Sequence, residues 1–310
     1  MANVIGTHQR TLVRRRVRIR GEHLVGYAFI APLLAMFVAY HVYPIIRSFT
    51  MSFTDFKYLH PQGTHFIGLA NYQEAVQSPY VQHGLLLGIE YMVIYVPLAM
   101  ILALIIALAL DRVSHHFLAG AYRTIYYLPV IMPGAVVYVL WKWMYIPSFG
   151  LVNYVLVDTL HLLTIRPQWL GSPDLALPSV AFMEVWRFLG YNVLLLLVGL
   201  GSINRELYEA ARIDGASELQ LTWHITLPLL KPIFLVMMVL KMSVFAVVEP
   251  MLIAPGVGES TWTWGWYAYD QAFLEGNLRM GYASAIGYLG ALIMSVFVYF
   301  QYRFFRHDRA

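Results

Sequence analysis

At 310 residues, with 59% hydrophobic and 12% charged residues and a mean hydropathy of +0.61, the chain is well outside the soluble range of about 45–50% apolar and about 25% charged. That balance excludes an ordinary water-soluble globule, a disordered chain and a nucleic-acid-binding tail protein, and the net charge of +4 matters less than its distribution. With no cysteine in the chain, a disulfide framework, a thiolate metal site, a Cys nucleophile and a redox CxxC are all excluded.

A membrane-crossing helix needs about 20 mostly apolar residues. Six runs qualify, at about 26–47, 85–110, 124–145, 178–200, 231–253 and 282–302. None alternates as a ten-residue barrel strand would. The first run follows a basic flank, but it is longer than a signal-peptide core and no A-x-A site follows. It therefore reads as an uncleaved span, and Arg14-Arg15 as part of a topology anchor. Lys and Arg cluster before the first span, in the second and fourth loops and in the tail. Fourteen of the 21 fall there, against four (Arg47, Lys57, Arg166 and Arg279) in the other loops. The positive-inside rule then places both termini in the cytoplasm. The predicted fold is an all-α integral membrane protein of six transmembrane helices. A basic arm covers 1–25, the membrane domain 26–302, and a tail 303–310.

The three outside loops, about 48–84, 146–177 and 254–281, carry turn-formers and aromatics and suggest short interfacial helices. Of the two cytoplasmic loops, 201–231 is the most charged interior segment. Asn204 or Ser202 can cap a helix over RELYEAARIDG, and Gly215 supplies its stop. A second short helix follows, ended by Leu227-Pro228, and Pro232 opens the next span. The loop reads either as a docking element for a partner protein or as an amphipathic connector lying on the membrane. His115-His116 is the only histidine pair, and two ligands do not make a metal site. No G-x-x-x-x-G-K-[ST], H-E-x-x-H, G-x-S-x-G or EF-hand pattern occurs.

Glu209-Ala210-Ala211, then Gly215, Ile225 and Leu227-Pro228, match E-A-A-x3-G-x9-I-x-L-P at every position and spacing. This resembles the signature loop of binding-protein-dependent ABC importer permeases. Further segments resemble the sugar-permease branch of that family. They are Phe53-Thr54-Asp55 with Phe66 to Tyr72, Leu128-Pro129 to Pro133, Trp141-Lys142-Trp143, Phe149 to Asn153, and Trp186 with Gly190-Tyr191. The run Ala254-Pro255-Gly256-Val257-Gly258 departs from the T-x-G-G-P usual there.

The resemblance implies a coupling helix between the fourth and fifth spans, with Glu209, Ala210, Ala211, Asp214, Gly215, Ile225, Leu227 and Pro228 carrying contact with a separate ATPase. It implies two cytoplasmic ATPase subunits that use ATP and Mg, a second homologous permease and an external solute-binding protein. The substrate would be a sugar, with glycerol phosphate as the near alternative and an ion-coupled secondary transporter as the distant one. The chain itself would be no enzyme and would bind no cofactor, metal or nucleic acid. It would sit, with its lipid, in a bacterial or archaeal inner membrane.

Ionisable groups within spans tend to face a bundle interior or a wet cavity. Glu184 and Arg187, three apart, share one helical face, and Lys241 and Glu249, eight apart, share a face of the fifth span. They either line a translocation cavity or pair structurally, as Glu90 does on this reading. Tyr138, Trp186, Tyr191 and Asn192 offer sugar-binding side chains, and Gly134, after a kink at Pro129 and Pro133, a point of close approach. Val130, Gly190 and Ser243 complete the candidate pathway. Trp141 and Trp143 read as an interfacial belt around a snorkelling Lys142.

Overall fold

The computed structural model describes residues 21–113, 116–241, 248–276 and 278–306. The predicted basic arm up to Arg20, His115, Ser243 and the tail from 307 therefore lie outside the described residues. Among those described, the chain is helical, and its one extended pairing is an isolated bridge between Thr54 and Phe66. Five helices among the described residues are long and apolar enough to cross a membrane, or six if one bent pair counts as a span.

The chain divides after Ser48 into two compact units. The first holds α1 (Gly21–Phe37), which runs through a widened turn into α2 (Tyr43–Met51), whose last three residues already belong to the second unit. Together they present an apolar helix whose residues stay outward-facing. The second unit holds everything else. Its helices are α3 (Ala70–Gln77), α4 (Pro79–Asp111), α5 (His116–Ile131), α6 (Gly134–Met144), the single turn α7 (Leu151–Asn153) and α8 (Pro173–Gly201). They continue as α9 (Arg205–Ile213), α10 (Glu218–Leu221), α11 (Leu227–Lys241), α12 (Glu249–Ile253), α13 (Trp264–Tyr269) and α14 (Met280–Arg306).

α8 is the axis of this unit. Half of its most apolar window is buried, against a third or less for every other candidate span. Along α4, Ala99, Ala103 and Ala107 recur every fourth residue, are fully buried, and belong to the apolar cores that α4 shares with α8. Small residues at that spacing let two helix backbones approach closely. α4 starts where Ser78 is extended and Pro79 fills the first helical position, at which its missing N–H costs nothing.

Four expectations need correction. The third run is broken rather than kinked: α5 and α6 meet at 99°. Pro133 disfavours helix at Met132 and stands as the extended cap of α6. Leu227-Pro228 does not end a helix, because α10 continues through a π-turn at Thr222–Thr226 into α11. That wider turn absorbs the donor missing at the proline. Lys241 and Glu249 do not share a helix, since Val248 is non-helical (φ −126°) and Glu249 opens α12. Trp141 is likewise no belt residue. It is 4% exposed in the apolar core, whereas Trp143 and Lys142 face outward.

The segments before α3 and α14 form a clasp. Asn71 Nδ2 donates to the carbonyls of Ser52 (2.9 Å) and Thr54 (2.8 Å). Asp55 accepts from the His65 N–H at 2.6 Å. Arg279 binds Glu74 with both terminal nitrogens, at 2.7 and 2.6 Å. Those hydrogen bonds hold the guanidinium charged and raise its pKa. A second clasp centres on buried Asn153, which donates to Pro147 and Pro167 carbonyls and accepts from Trp169 Nε1.

Candidate functional site

Four charged side chains from three helices converge near the middle of α8. Glu184 is 4% exposed, and its carboxylate accepts the Tyr138 hydroxyl of α6. Arg187, one turn on, donates to the same hydroxyl oxygen. Its Nη1 lies 3.6 Å from both Glu184 and the Glu249 carboxylate of α12. The guanidinium also covers the Tyr138 and Phe188 rings, 5.2 and 4.9 Å from their centroids. Lys241, 5% exposed, donates to Tyr95 Oη at 3.4 Å and sits 4.9 Å from that ring's centroid. Tyr95 stacks on Tyr91 one turn earlier in α4.

This arrangement follows from the cost of burying charge. An isolated ion in low dielectric is prohibitively unfavourable, so buried ions pair and take hydrogen bonds. Two carboxylates face Arg187, Tyr138 bridges Arg187 to Glu184, and Tyr95 partners Lys241. Gly134 makes the crossing possible: a Cβ there would fall 2.5 Å from Glu249 Oε1 and 2.7 Å from Arg187 Nη2. Glu249 is the accessible member, its side chain 55% exposed. Carboxylate, guanidinium and aromatic faces together can accept from, donate to and stack on a polyhydroxylated solute.

The cluster gathers Gly134, Tyr138, Glu184, Arg187, Lys241 and Glu249. It does not gather Trp186, which packs edge-on against Trp141 at 5.6 Å in the core. Tyr191 sits on an exposed face of α8, and Asn192 is buried in the next position. Val130 is half-buried in α5. Gly190 packs under the Tyr126 carbonyl and serves the contact of α5 with α8. Glu90 is exposed on α4, away from the charges. Tyr91 and Tyr95 escaped the sequence reading. Their one signal was two hydroxyls a turn apart in a span whose only other polar side chain is Glu90.

The second feature is the loop between α8 and α11. Asn204 caps α9, its side chain accepting from the Glu206 N–H at 3.1 Å. At the other end Ala216 N–H donates to Ala211 and Gly215 N–H to Arg212, a Schellman closure with Gly215 at φ 85°. Ser217 and Gln220 form a capping box for α10. Tyr208 packs with Ile225 against the apolar core of Leu200 and Leu230 and meets Thr226 Oγ1 at 2.9 Å. Glu209, Ala210, Asp214, Gly215 and Pro228 stay exposed, while Ala211 and Leu227 are half-buried. Glu218 binds both Arg212 and Arg112, residues that no motif flagged. Among the described residues no group of three His, Asp or Glu is placed to hold a metal ion.

A family model described as the binding-protein-dependent transport system inner membrane component matches residues 84–308. A probable ABC transporter permease protein of Pyrococcus horikoshii is 34% identical over 89% of this chain and 94% of its own. The trehalose/maltose transport system permease protein MalF of Thermococcus litoralis is 31% identical, covering 93% and 96%. The diacetylchitobiose uptake system permease protein NgcF of Streptomyces coelicolor is 29% identical, covering 87% and 79%. A chain of a bacterial ABC transporter involved in alginate import superposes with a TM-score of 0.78 at 23% identity, over 94% of this chain and 98% of that one. At that identity the likeness is one of fold.

Proposed function

The chain belongs to the binding-protein-dependent transport system inner membrane component family, and from that premise we propose that it is the sugar-translocating permease subunit of an ABC importer. It is a multi-pass membrane protein. On this reading the bent pair counts as one span, making six, and both termini face the cytoplasm. α9 is the coupling helix that docks on a cytoplasmic ATPase subunit, one of a separate pair that use ATP and Mg. A second permease completes the pathway, and an external binding protein delivers the solute. The relatives named for trehalose, maltose and diacetylchitobiose favour a sugar.

The observation that carries the reading is the full E-A-A-x3-G-x9-I-x-L-P pattern, whose E-A-A lies on a helix capped at both ends and whose Ile225 packs with Tyr208 against the bundle core. Glycerol phosphate fits less well. Arg187 is engaged by two carboxylates and Lys241 by Tyr95, so a phosphate would meet no uncommitted cation in this cluster.

The test is ATPase activity of the purified complex in lipid, with binding protein loaded from a sugar panel. Sugar-loaded binding protein should stimulate hydrolysis, and Glu209→Ala and Gly215→Pro should break its link to transport. Uptake that follows a proton or sodium gradient, with no ATPase present, would overturn the assignment.

A further inference from the structure

Among the described residues, α9 makes no extensive backbone contact with another helix. A cleft of about 460 Å³ lies between it and the ends of α4 and α8, lined among others by Asp111, Arg112, Tyr208 and Glu209. The helix is therefore held by side chains. One attachment is Tyr208, which leads to Thr226 and so into α11. The other is Glu218, the first residue of α10. Its Oε1 takes Arg212 from the last turn of α9, at 3.3 Å from Nε and 3.1 Å from Nη2. Its Oε2 takes Arg112, just past the end of α4, at 3.2 Å. One carboxylate thus joins three elements, with a separate oxygen for each arginine.

α4 is a continuous helix of 33 residues, about 50 Å long at 1.5 Å per residue. Tyr95 is its midpoint and holds the Lys241 ammonium. A displacement applied to Arg112 therefore reaches the charge cluster along one unbroken helix, past Pro97, which removes a single backbone hydrogen bond on the way. We propose that Glu218 is a positioning residue that passes the coupling helix's movement to α4, a second route beside the covalent one through α11. This rests on the importer reading. The pairs are exposed, with side chains 54–63% accessible, so their work is to set register rather than to add stability. Exposure also gives them a signature. The screening length falls from about 10 Å at 0.1 M salt to about 3 Å at 1 M, and contacts of this kind weaken with it.

The experiment measures sugar moved per ATP hydrolysed by the complete complex in liposomes, using maltose, trehalose and diacetylchitobiose as probes. Wild type is compared with Glu218→Gln, Arg112→Met and the double variant, at about 50 mM and about 500 mM salt. Each single variant should lower the ratio about fivefold, the low end of coupling between sites, and the double variant no further. The wild-type ratio should fall with salt while that of Glu218→Gln stays flat. Glu218→Gln leaves the Ser217–Gln220 capping box in place. Should it still fail to fold, Arg112→Met, outside the loop, carries the test. An unchanged ratio in Arg112→Met, additive effects in the double variant, or the same salt response in wild type and Glu218→Gln would overturn the proposal. Failure of wild type to move any sugar on ATP would count against the importer reading instead.

Discussion

Tyr138 is the hinge pin of the charge cluster, since its hydroxyl donates to Glu184 and accepts from Arg187. Tyr138→Phe keeps the ring and removes both bonds, leaving buried Glu184 and partly buried Arg187 each short of a partner. Such a loss costs about 1–3 kcal/mol, so the purified protein should melt well below wild type. An unchanged melting temperature would mean the ions find other partners. The pair itself should behave non-additively. Arg187→Met leaves the buried Glu184 carboxylate uncompensated, costing about 3–5 kcal/mol, whereas Glu184→Gln should cost less because Arg187 keeps Glu249 at 3.6 Å, and the double variant should be more stable than Arg187→Met. Gly134→Ala sets two effects against each other. Alanine favours helix over glycine by about 1 kcal/mol, whereas crowding a packed site costs about 1–3 kcal/mol. Because the new methyl would strike both Arg187 and Glu249, the second should win, and a stabilised Gly134→Ala would contradict the close crossing. The Glu184–Arg187 pair was legible in the sequence because both lie on one helix at i, i+3. Tyr95 was not, because its partner Lys241 is 146 residues away. Trp186 shows the converse: a side chain chosen for sugar stacking is claimed by the core through Trp141.

At the scale of elements, caps and clasps rank themselves by burial. Asn71 is 4% exposed and serves two carbonyls, so Asn71→Ala should cost about 1–3 kcal/mol. The Arg279–Glu74 pair is geometrically better but about a third to a half exposed, which limits it to about 1 kcal/mol. Thermal melts should therefore place Asn71→Ala below Arg279→Met, and the reverse order would show the ion pair to be the stronger tie. Gly215 stands in the left-handed region with open space around it, so only its backbone resists substitution, at about 1–2 kcal/mol for an ordinary residue. Asparagine visits that region readily, so hydrogen exchange in α9 should rise less in Gly215→Asn than in Gly215→Val. Equal exchange would remove the Schellman turn as the helix stop. Both caps of α9 were readable, because capping is local chemistry between residues a few places apart. The broken third run and the unbroken α10–α11 helix were not. Each turns on what a proline's missing donor meets in three dimensions: an extended cap at Pro133, a π-turn before Pro228.

For the whole molecule, the charges decide which face meets lipid. A charged group at mid-membrane is expensive against hydrocarbon and is tolerated beside water or protein. Glu249 keeps its side chain 55% exposed while pairing with Arg187, and Glu184 on the same Arg187 is closed off. The face bearing Glu249 should therefore open on an aqueous path, whereas Phe29 and Leu292, 82% and 64% exposed on apolar helices, should face lipid. The chain has no native cysteine, so each introduced thiol is the only one present and needs no altered background. Water-soluble thiosulfonates attack the thiolate, which forms in water and not in hydrocarbon. In membranes, Glu249→Cys should label, while Phe29→Cys, Leu292→Cys and Glu184→Cys should not. Labelling at Phe29 or Leu292 with none at Glu249 would invert the assignment and turn the charge cluster from a pathway wall into a sealed structural pair.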